Sequence, residues 1–440
     1  LLKSTNVNLG TIVTSTIALP HNRTIHRTVL DNGITVLVTE NPSADIIAAR
    51  LFFKAGSRWE AIAQAGLSHL VAAVMTKGTE HHSSLEIAER VESIGASLST
   101  DAASDYFLLS LKTVSADFTE MLQLASELLR TATFPESEVE LERRLALQAI
   151  RSQQEQPFTV ALDRLRQDMY GDHPYSLSGL GSAETVANLT REDLQQYYQT
   201  HFRPDNLTIS IAGRITPDEA VSQVEAILGN WHTPLVSLSN LDLPIVTSKP
   251  TRSTIAQETQ QSIVILGYLA PSVKPETMAD YAALKLLNTY LGNGLSSRLF
   301  VELREKRGLA YEVSAFYPTR LDTSYFVTYM GTAPTNTEVA FSGLKTEVER
   351  LCTAPLSSDE IQVAKNKLLG QYALGKQTNS QLAQIFGWYE TLGLGVEFDS
   401  QFQDEIATVS AEAAQEIACR YFGDPYVSLL GPADAIGSVV

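Results

Sequence analysis

The chain has 440 residues, of which 44% are hydrophobic and 19% charged. At about 100–200 residues per domain it holds two to four domains with apolar material for a sizeable core, which excludes a disordered chain or a disulfide-stapled miniprotein. Fifty acidic against thirty-three basic residues leave a net charge of −17, which excludes a general nucleic-acid binder and a polybasic membrane-surface protein.

The first predicted strand covers 34–39, after the turn signal Asp31-Asn32-Gly33. A second covers 46–54 and ends at Ala55-Gly56-Ser57. Helical spacing follows over 66–76, stopped by Gly78, and over 84–94, stopped by Gly95. Strands are predicted at 96–102 and 105–113, then helices at 118–131, 135–153 and 158–170. A helix over 189–198 opens at Thr190 with Asp193 three residues on, close to a capping box. A strand at 207–212 and a helix at 217–228 close the half.

The same order returns in the second half. A strand is predicted at 261–269, helices at 277–291 and 295–306, and strands at 311–318 and 324–331. Helices follow at 336–352, 358–375, 379–392 and 411–421, with a last strand at 426–430. Local text repeats as well. Phe134-Pro135-Glu136-Ser137-Glu138-Val139 resembles Pro355-Leu356-Ser357-Ser358-Asp359-Glu360-Ile361 at an offset of about 220 residues. Thr190-Arg191-Glu192-Asp193-Leu194 resembles Ser410-Ala411-Glu412-Ala413-Ala414 at a similar offset. Two copies of one α+β unit explain both order and spacing. The expected division is a first domain over 1–232, a linker over 233–254 carrying Pro234, Pro244 and Pro250, and a second domain over 255–440.

Cys352 and Cys419 fit neither a zinc nor a redox spacing, and one disulfide or two free thiols both suit them. No apolar run reaches about 18 residues, so no membrane span is expected. Whether a signal segment preceded Leu1 is open, and a bacterial periplasm or cytoplasm both fit.

From Lys54 the chain reads KAGSRWEAIAQAGLSHLVAAVMTKGTEHHSS. This resembles the pitrilysin-type, inverted-zincin metallopeptidases, which include the mitochondrial processing peptidases. In that family a helix ending in Lys-Gly-Thr carries H-x-x-E-H. Its histidines sit at i and i+4 on one helix face and bind zinc, while the Glu activates water. Here His69 matches the first ligand, but Ala72 stands at the catalytic Glu and Ala73 at the second His. The third ligand, a Glu on a later helix, aligns with Ala149, 76 residues after Ala73. Alanine offers no lone pair, so the resemblance implies a degenerate zinc site with no metal in this chain. His81 and His82 lie in a polar turn and are expected to be solvated. No other H-x-x-E-H, no H-E-x-x-H, no G-x-S-x-G and no phosphate-binding loop is present.

The stretch from Ser296 to Tyr311, SSRLFVELREKRGLAY, matches the family's C-terminal signature. The resemblance assigns Arg304 and Tyr311 as the pair that hydrogen-bonds substrate and the developing oxyanion. It implies two homologous domains, each a mostly antiparallel sheet packed with helices, enclosing a peptide chamber with a partner subunit. Residues 95–103 would line that chamber, at the edge strand where active members pair with substrate by β-augmentation. The implied function is the non-zinc subunit of a heterodimeric metallopeptidase. Zinc would lie in a homologous H-x-x-E-H partner, with peptides or unfolded protein as substrate. A binding or structural subunit without a protease partner, and a zinc peptidase with unusual ligands, are the alternatives.

Overall fold

The computed structural model describes residues 7–9, 12–19, 23–238 and 241–437; Leu1 and, within the connector, Ser239 and Asn240 lie outside them. The first half begins with β1 (Val7–Leu9), β2 (Ile12–Leu19), β3 (Arg23–Val29), β4 (Thr35–Glu40) and β5 (Ile46–Phe53). It continues with α1 (Leu67–Met75), α2 (Ser84–Ser93), β6 (Ser97–Ala102), β7 (Phe107–Val114), α3 (Phe118–Thr131), α4 (Glu136–Gln154) and α5 (Pro157–Tyr170). Then come α6 (Ala183–Asn188), α7 (Arg191–His201), β8 (Leu207–Gly213) and α8 (Pro217–Leu228). The second half runs β9 (Arg252–Ala256), β10 (Ser262–Ala270), α9 (Met278–Gly292), β11 (Glu312–Phe316), β12 (Ser324–Thr332) and α10 (Thr337–Thr353). It ends with α11 (Ser358–Leu374), α12 (Asn379–Thr391), α13 (Phe398–Thr408), α14 (Ala411–Tyr421), β13 (Tyr426–Gly431) and α15 (Ala433–Gly437).

The duplication is visible in the sheets. One sheet is ordered β1-β2-β3-β4-β8-β5-β7-β6 and the other β11-β12-β10-β13-β9. Read from its other end, the second matches the last five strands of the first in order. It matches them in sense too. The β4–β8 and β9–β13 pairs are parallel, and every other pair in the two five-strand sets is antiparallel.

Two compact units form, and they do not follow the expected division at 233–254. The first comprises residues 1–150, 178–242 and 374–400; the second comprises 151–177, 243–373 and 401–440. Each unit thus takes one helix from the other half of the chain. In the first unit, Ile47, Ala49, Leu51 and Phe53 of β5 join a core with α1, α3 and α8. Fully buried Ile, Leu and Phe side chains of this kind each contribute about 1.5–3 kcal/mol. The opposite face of β5 is covered by α12. Gly387 permits the approach, since a Cβ there would lie 2.5 Å from the Phe52 ring. Asn379 donates to the Ile46 carbonyl at 2.9 Å and Arg27 pairs with Glu390 at 2.8 Å. A buried Lys376–Asp399 ion pair at 2.5 Å joins the two ends of the inserted segment.

The second unit receives α5 in the same manner. Leu165 and Met169 pack over Gly267 of β10, where a Cβ would come within 2.9 Å of each. Ser428 donates to the Ala161 carbonyl at 2.8 Å and Tyr170 to the Thr323 carbonyl at 2.9 Å. Both helices were readable from their spacing; their destination was not.

Other differences have local causes. The predicted Thr190–Asp193 capping box is present. The linker expected to run to Thr254 instead enters β9, a five-residue strand that only pairing with β13 defines. The helix expected over 295–306 begins at Arg298 and is π-wound over Phe300–Glu305, with Lys306 N–H bonding Val301 O. Strands β1–β3 and helices α6 and α13 were not anticipated. Cys352 and Cys419 are free thiols. Among the described residues no helix is long and apolar enough to cross a membrane.

Candidate functional site

Helix α1 is positioned by the turn that follows β5. Gly56 adopts φ +112°, and a Cβ there would sit 2.2 Å from the Ala103 carbonyl oxygen. Ser57 and Arg58 N–H groups bond the Ala103 and Ser104 carbonyls at 3.2 and 3.0 Å, tying this turn to the end of β6. The N-cap of α1 is Gly66, which has no side chain to satisfy the open amides. Glu60 does that work from six residues upstream. Its carboxylate, on a residue only 7% exposed, accepts from Gly66 N–H at 2.8 Å and Ser68 N–H at 2.6 Å. Burial raises its pKa, and the hydrogen bonds from Ser68 and Gly66 oppose the rise.

The degenerate zinc positions follow on α1. His69 is half-buried, Ala72 buried and Ala73 half-buried one turn beyond His69. Burial lowers the His69 pKa, while the charges of Asp101 on β6 and Glu142 on α4 act upward. β6 and α4 thus each bring a carboxylate within electrostatic reach of His69. Thr100 of β6 donates to the Ala72 carbonyl at 2.6 Å. Ala149 is exposed on α4, two turns beyond Glu142. Glu142 is occupied by Lys77 at 3.1 Å.

Zinc does not fit this donor set. A catalytic site needs three protein ligands and an open position, and three of the family positions here are alanine. Among the described residues no group of three His, Cys, Asp or Glu side chains could hold a metal ion. Asp101 and Glu142 were not identified from sequence. The one available signal was the seven-residue spacing of Glu142 from Ala149, which stacks both on one helix face. His82 is not solvated as expected: its Nδ1 lies 2.8 Å from Glu127 Oε1, and Thr79 hydrogen-bonds the same carboxylate.

Arg304 and Tyr311 lie in the second unit, joined by a tight turn. Gly308, with φ +62°, closes it: Gly308 N–H bonds Arg304 O at 3.0 Å and Leu309 N–H bonds Leu303 O at 2.9 Å, each one residue wider than in a Schellman cap, as the π winding before it requires. Thr332 donates to Leu309 O at 2.6 Å, and Tyr311 N–H bonds Gly331 O at 2.9 Å, so the turn is fixed to β12. The turn delivers the chain into β11, an edge strand. Arg304 is exposed and rests over the Phe300 ring, 4.9 Å from its centroid. Tyr311 is 66% exposed. Among the described residues Arg304 makes no ion pair and the Tyr311 hydroxyl no hydrogen bond. Both donors are uncommitted.

The chain is similar to known proteins along most of its length. A model described as "Insulinase (Peptidase family M16)" matches residues 35–182, and one described as "Peptidase M16 inactive domain" matches 188–368. An "uncharacterized zinc protease" of Bacillus subtilis is 27% identical over 418 residues, covering 93% of this chain and 98% of that protein. One of Rickettsia felis is 27% identical over 411 residues with the same coverage. A protease from Helicobacter pylori superposes with a TM-score of 0.85 at 20% identity, covering 92% of this chain and 98% of that one. A peptidase M16 inactive domain from Pseudomonas fluorescens superposes with a TM-score of 0.82 at 24% identity, covering 93% and 98%.

Proposed function

The chain belongs to the M16 metallopeptidase family, and we propose that it is the non-zinc subunit of a heterodimeric zinc metallopeptidase of that family. In this reading a homologous H-x-x-E-H subunit supplies zinc and the general base. This chain contributes Arg304 and Tyr311 to the same reaction on a peptide or unfolded protein segment.

The observation that carries the reading is an asymmetry. The family's zinc helix is built and held by Glu60, yet alanine stands at two of its three chemical positions, 72 and 73, and at the third-ligand position, 149, on α4. The Arg304–Tyr311 turn, by contrast, keeps both donors exposed and, among the described residues, without an ion-pair or hydrogen-bond partner. A guanidinium and a phenol are donors suited to a carbonyl oxygen gaining charge in the transition state. One such donor contributes roughly 10²–10³ in rate. The Thr332 hydroxyl and the Tyr311 N–H bond tie the main chain of the turn to β12, which fixes the backbone that carries the two donors.

The test is reconstitution with a zinc-bearing homologue. The chain alone should bind no stoichiometric zinc and cleave no peptide; the mixture should cleave. Arg304→Ala and Tyr311→Phe should each lower kcat of the mixture by about a hundredfold and leave assembly unchanged by size-exclusion chromatography. Turnover unaffected by both substitutions would refute the role given to the pair and favour a binding or structural subunit. Stoichiometric zinc with cleavage by the chain alone would refute the non-zinc assignment.

A further inference from the structure

The β5 face covered by α12 carries a cation with no counter-charge. Along β5, Ala48, Arg50 and Phe52 point to this face while their neighbours enter the core. The residues directly across from Arg50 are serines on both sides, Ser110 of β7 and Ser210 of β8, so no charged side chain flanks it in its row of the sheet. Arg50 Nη1 donates to two main-chain carbonyls, Ala49 at 3.0 Å and Leu111 at 3.3 Å. Among the described residues no carboxylate pairs with it. Burial lowers its pKa, and no neighbouring charge acts upward.

An open cavity of about 470 Å³ adjoins this group, its lining including Arg50, Tyr106, Gln381, Gln384, Ile385 and Trp388. No Asp or Glu lines it, in a chain of net charge −17. The Gln381 side chain is oriented by the α12 capping box. Its Oε1 accepts from Gln377 N–H at 3.1 Å, Thr378 N–H at 3.0 Å and Thr378 Oγ1 at 3.1 Å, which leaves the amide NH₂ as the free end. The same turn is the positive end of a 13-residue helix. The cavity thus combines a fixed guanidinium, amide donors and two aromatic walls.

We propose that this cavity binds a carboxylate carried on a flat apolar group. The carboxylate pairs with the free edge of Arg50, and the apolar part lies against Trp388, Tyr106 and Ile385. A guanidinium fork matches carboxylate geometry, and a partly dehydrated one gains most from meeting its counter-ion. The site shares no residue with the degenerate zinc helix or with the Arg304–Tyr311 turn, so it stands or falls separately from the proposed function. Two sources offer this chemistry: the C-terminus of a peptide ending in an aromatic residue, and a free aromatic acid.

Calorimetric titration of the full chain with three probes tests the proposal: acetyl-Ala-Phe with a free carboxylate, its C-terminal amide, and 3-phenylpropionate. The peptide acid or phenylpropionate should bind saturably, and the amide about ten- to a hundredfold more weakly than the acid. Arg50→Gln should produce a similar loss. So should Gln384→Glu, which supplies an internal carboxylate while keeping Arg50. The peptide acid binding more tightly than phenylpropionate assigns a peptide terminus; equal or weaker binding assigns a free acid. Equal binding of acid and amide, no saturable binding by any probe, or indifference to both substitutions overturns the proposal.

Discussion

His201 should give the chain an acid-sensitive anchor beside the turn that leads to α1. It is the last residue of α7, 8% exposed, with its ring 4.5 Å from that of Tyr197. The Lys54 carbonyl lies near the imidazole, and His201 Nδ1 has no partner among the described residues. Asn206 spans the same place, donating to His201 O at 2.9 Å and Lys54 O at 3.2 Å. Burial pushes the His201 pKa from 6.5 down to about 4, and the Lys54 carbonyl only partly opposes this. The unfolded chain therefore takes up this proton at higher pH than the folded one. Its contribution to stability is complete above pH ~6.5 and is lost as pH falls toward about 4. At pH 5 the loss is about 2 kcal/mol, and at full protonation about 3 kcal/mol, from 1.36 kcal/mol per pKa unit. Urea unfolding of the natural chain and of His201→Gln between pH 4.5 and 8 measures it. Gln keeps a polar side chain of similar length but does not titrate, and all other groups cancel in the comparison. The natural chain should lose about 2 kcal/mol more than the variant between pH 7.5 and 5. Parallel profiles would refute the buried, neutral imidazole.

Three further outcomes follow from the geometry. Replacing Ala72 by Glu, Ala73 by His and Ala149 by Glu together should restore about one zinc per chain after dialysis, because α1 and α4 already converge on His69; a folded variant without metal would refute that alignment. Lys376→Ala should cost about 3–5 kcal/mol in urea unfolding by leaving Asp399 buried without its ion pair, and the double variant with Asp399→Ala should cost less; additive losses would show that the pair does not couple. Gly292→Ala should destabilise by about 1–3 kcal/mol or more, because its Cβ would meet Ala315 N at 2.0 Å. Gly308→Ala meets no atom within 4 Å and should cost only the left-handed backbone term of about 1–2 kcal/mol. Equal losses at the two glycines in thermal unfolding would contradict this ordering.

What the sequence determined by itself is local or compositional. Capping residues, glycine stops and periodicity located most of the helices and strands, because these signals act within a few residues. The order of elements carried the duplication, and the paired sheets match it strand for strand. The alanines at 72, 73 and 149 decided the donor set, since side-chain identity needs no coordinates. Tertiary structure decided the rest. Helices α5 and α12 carry ordinary amphipathic patterns; only Gly267 and Gly387, facing bulky partners about a hundred residues or more away, show which sheet each one covers. Strand β9 has no strong pattern of its own and exists through β13. Glu60 reads as one of many acidic residues until Gly66 and Ser68 turn their amides toward it. Arg50 likewise reads as a charge in a strand until the fold places serines on both sides of it and an aromatic wall above. Partners distant in the chain leave no periodic trace, so the compensation or exposure of a buried charge is settled only when the elements pack.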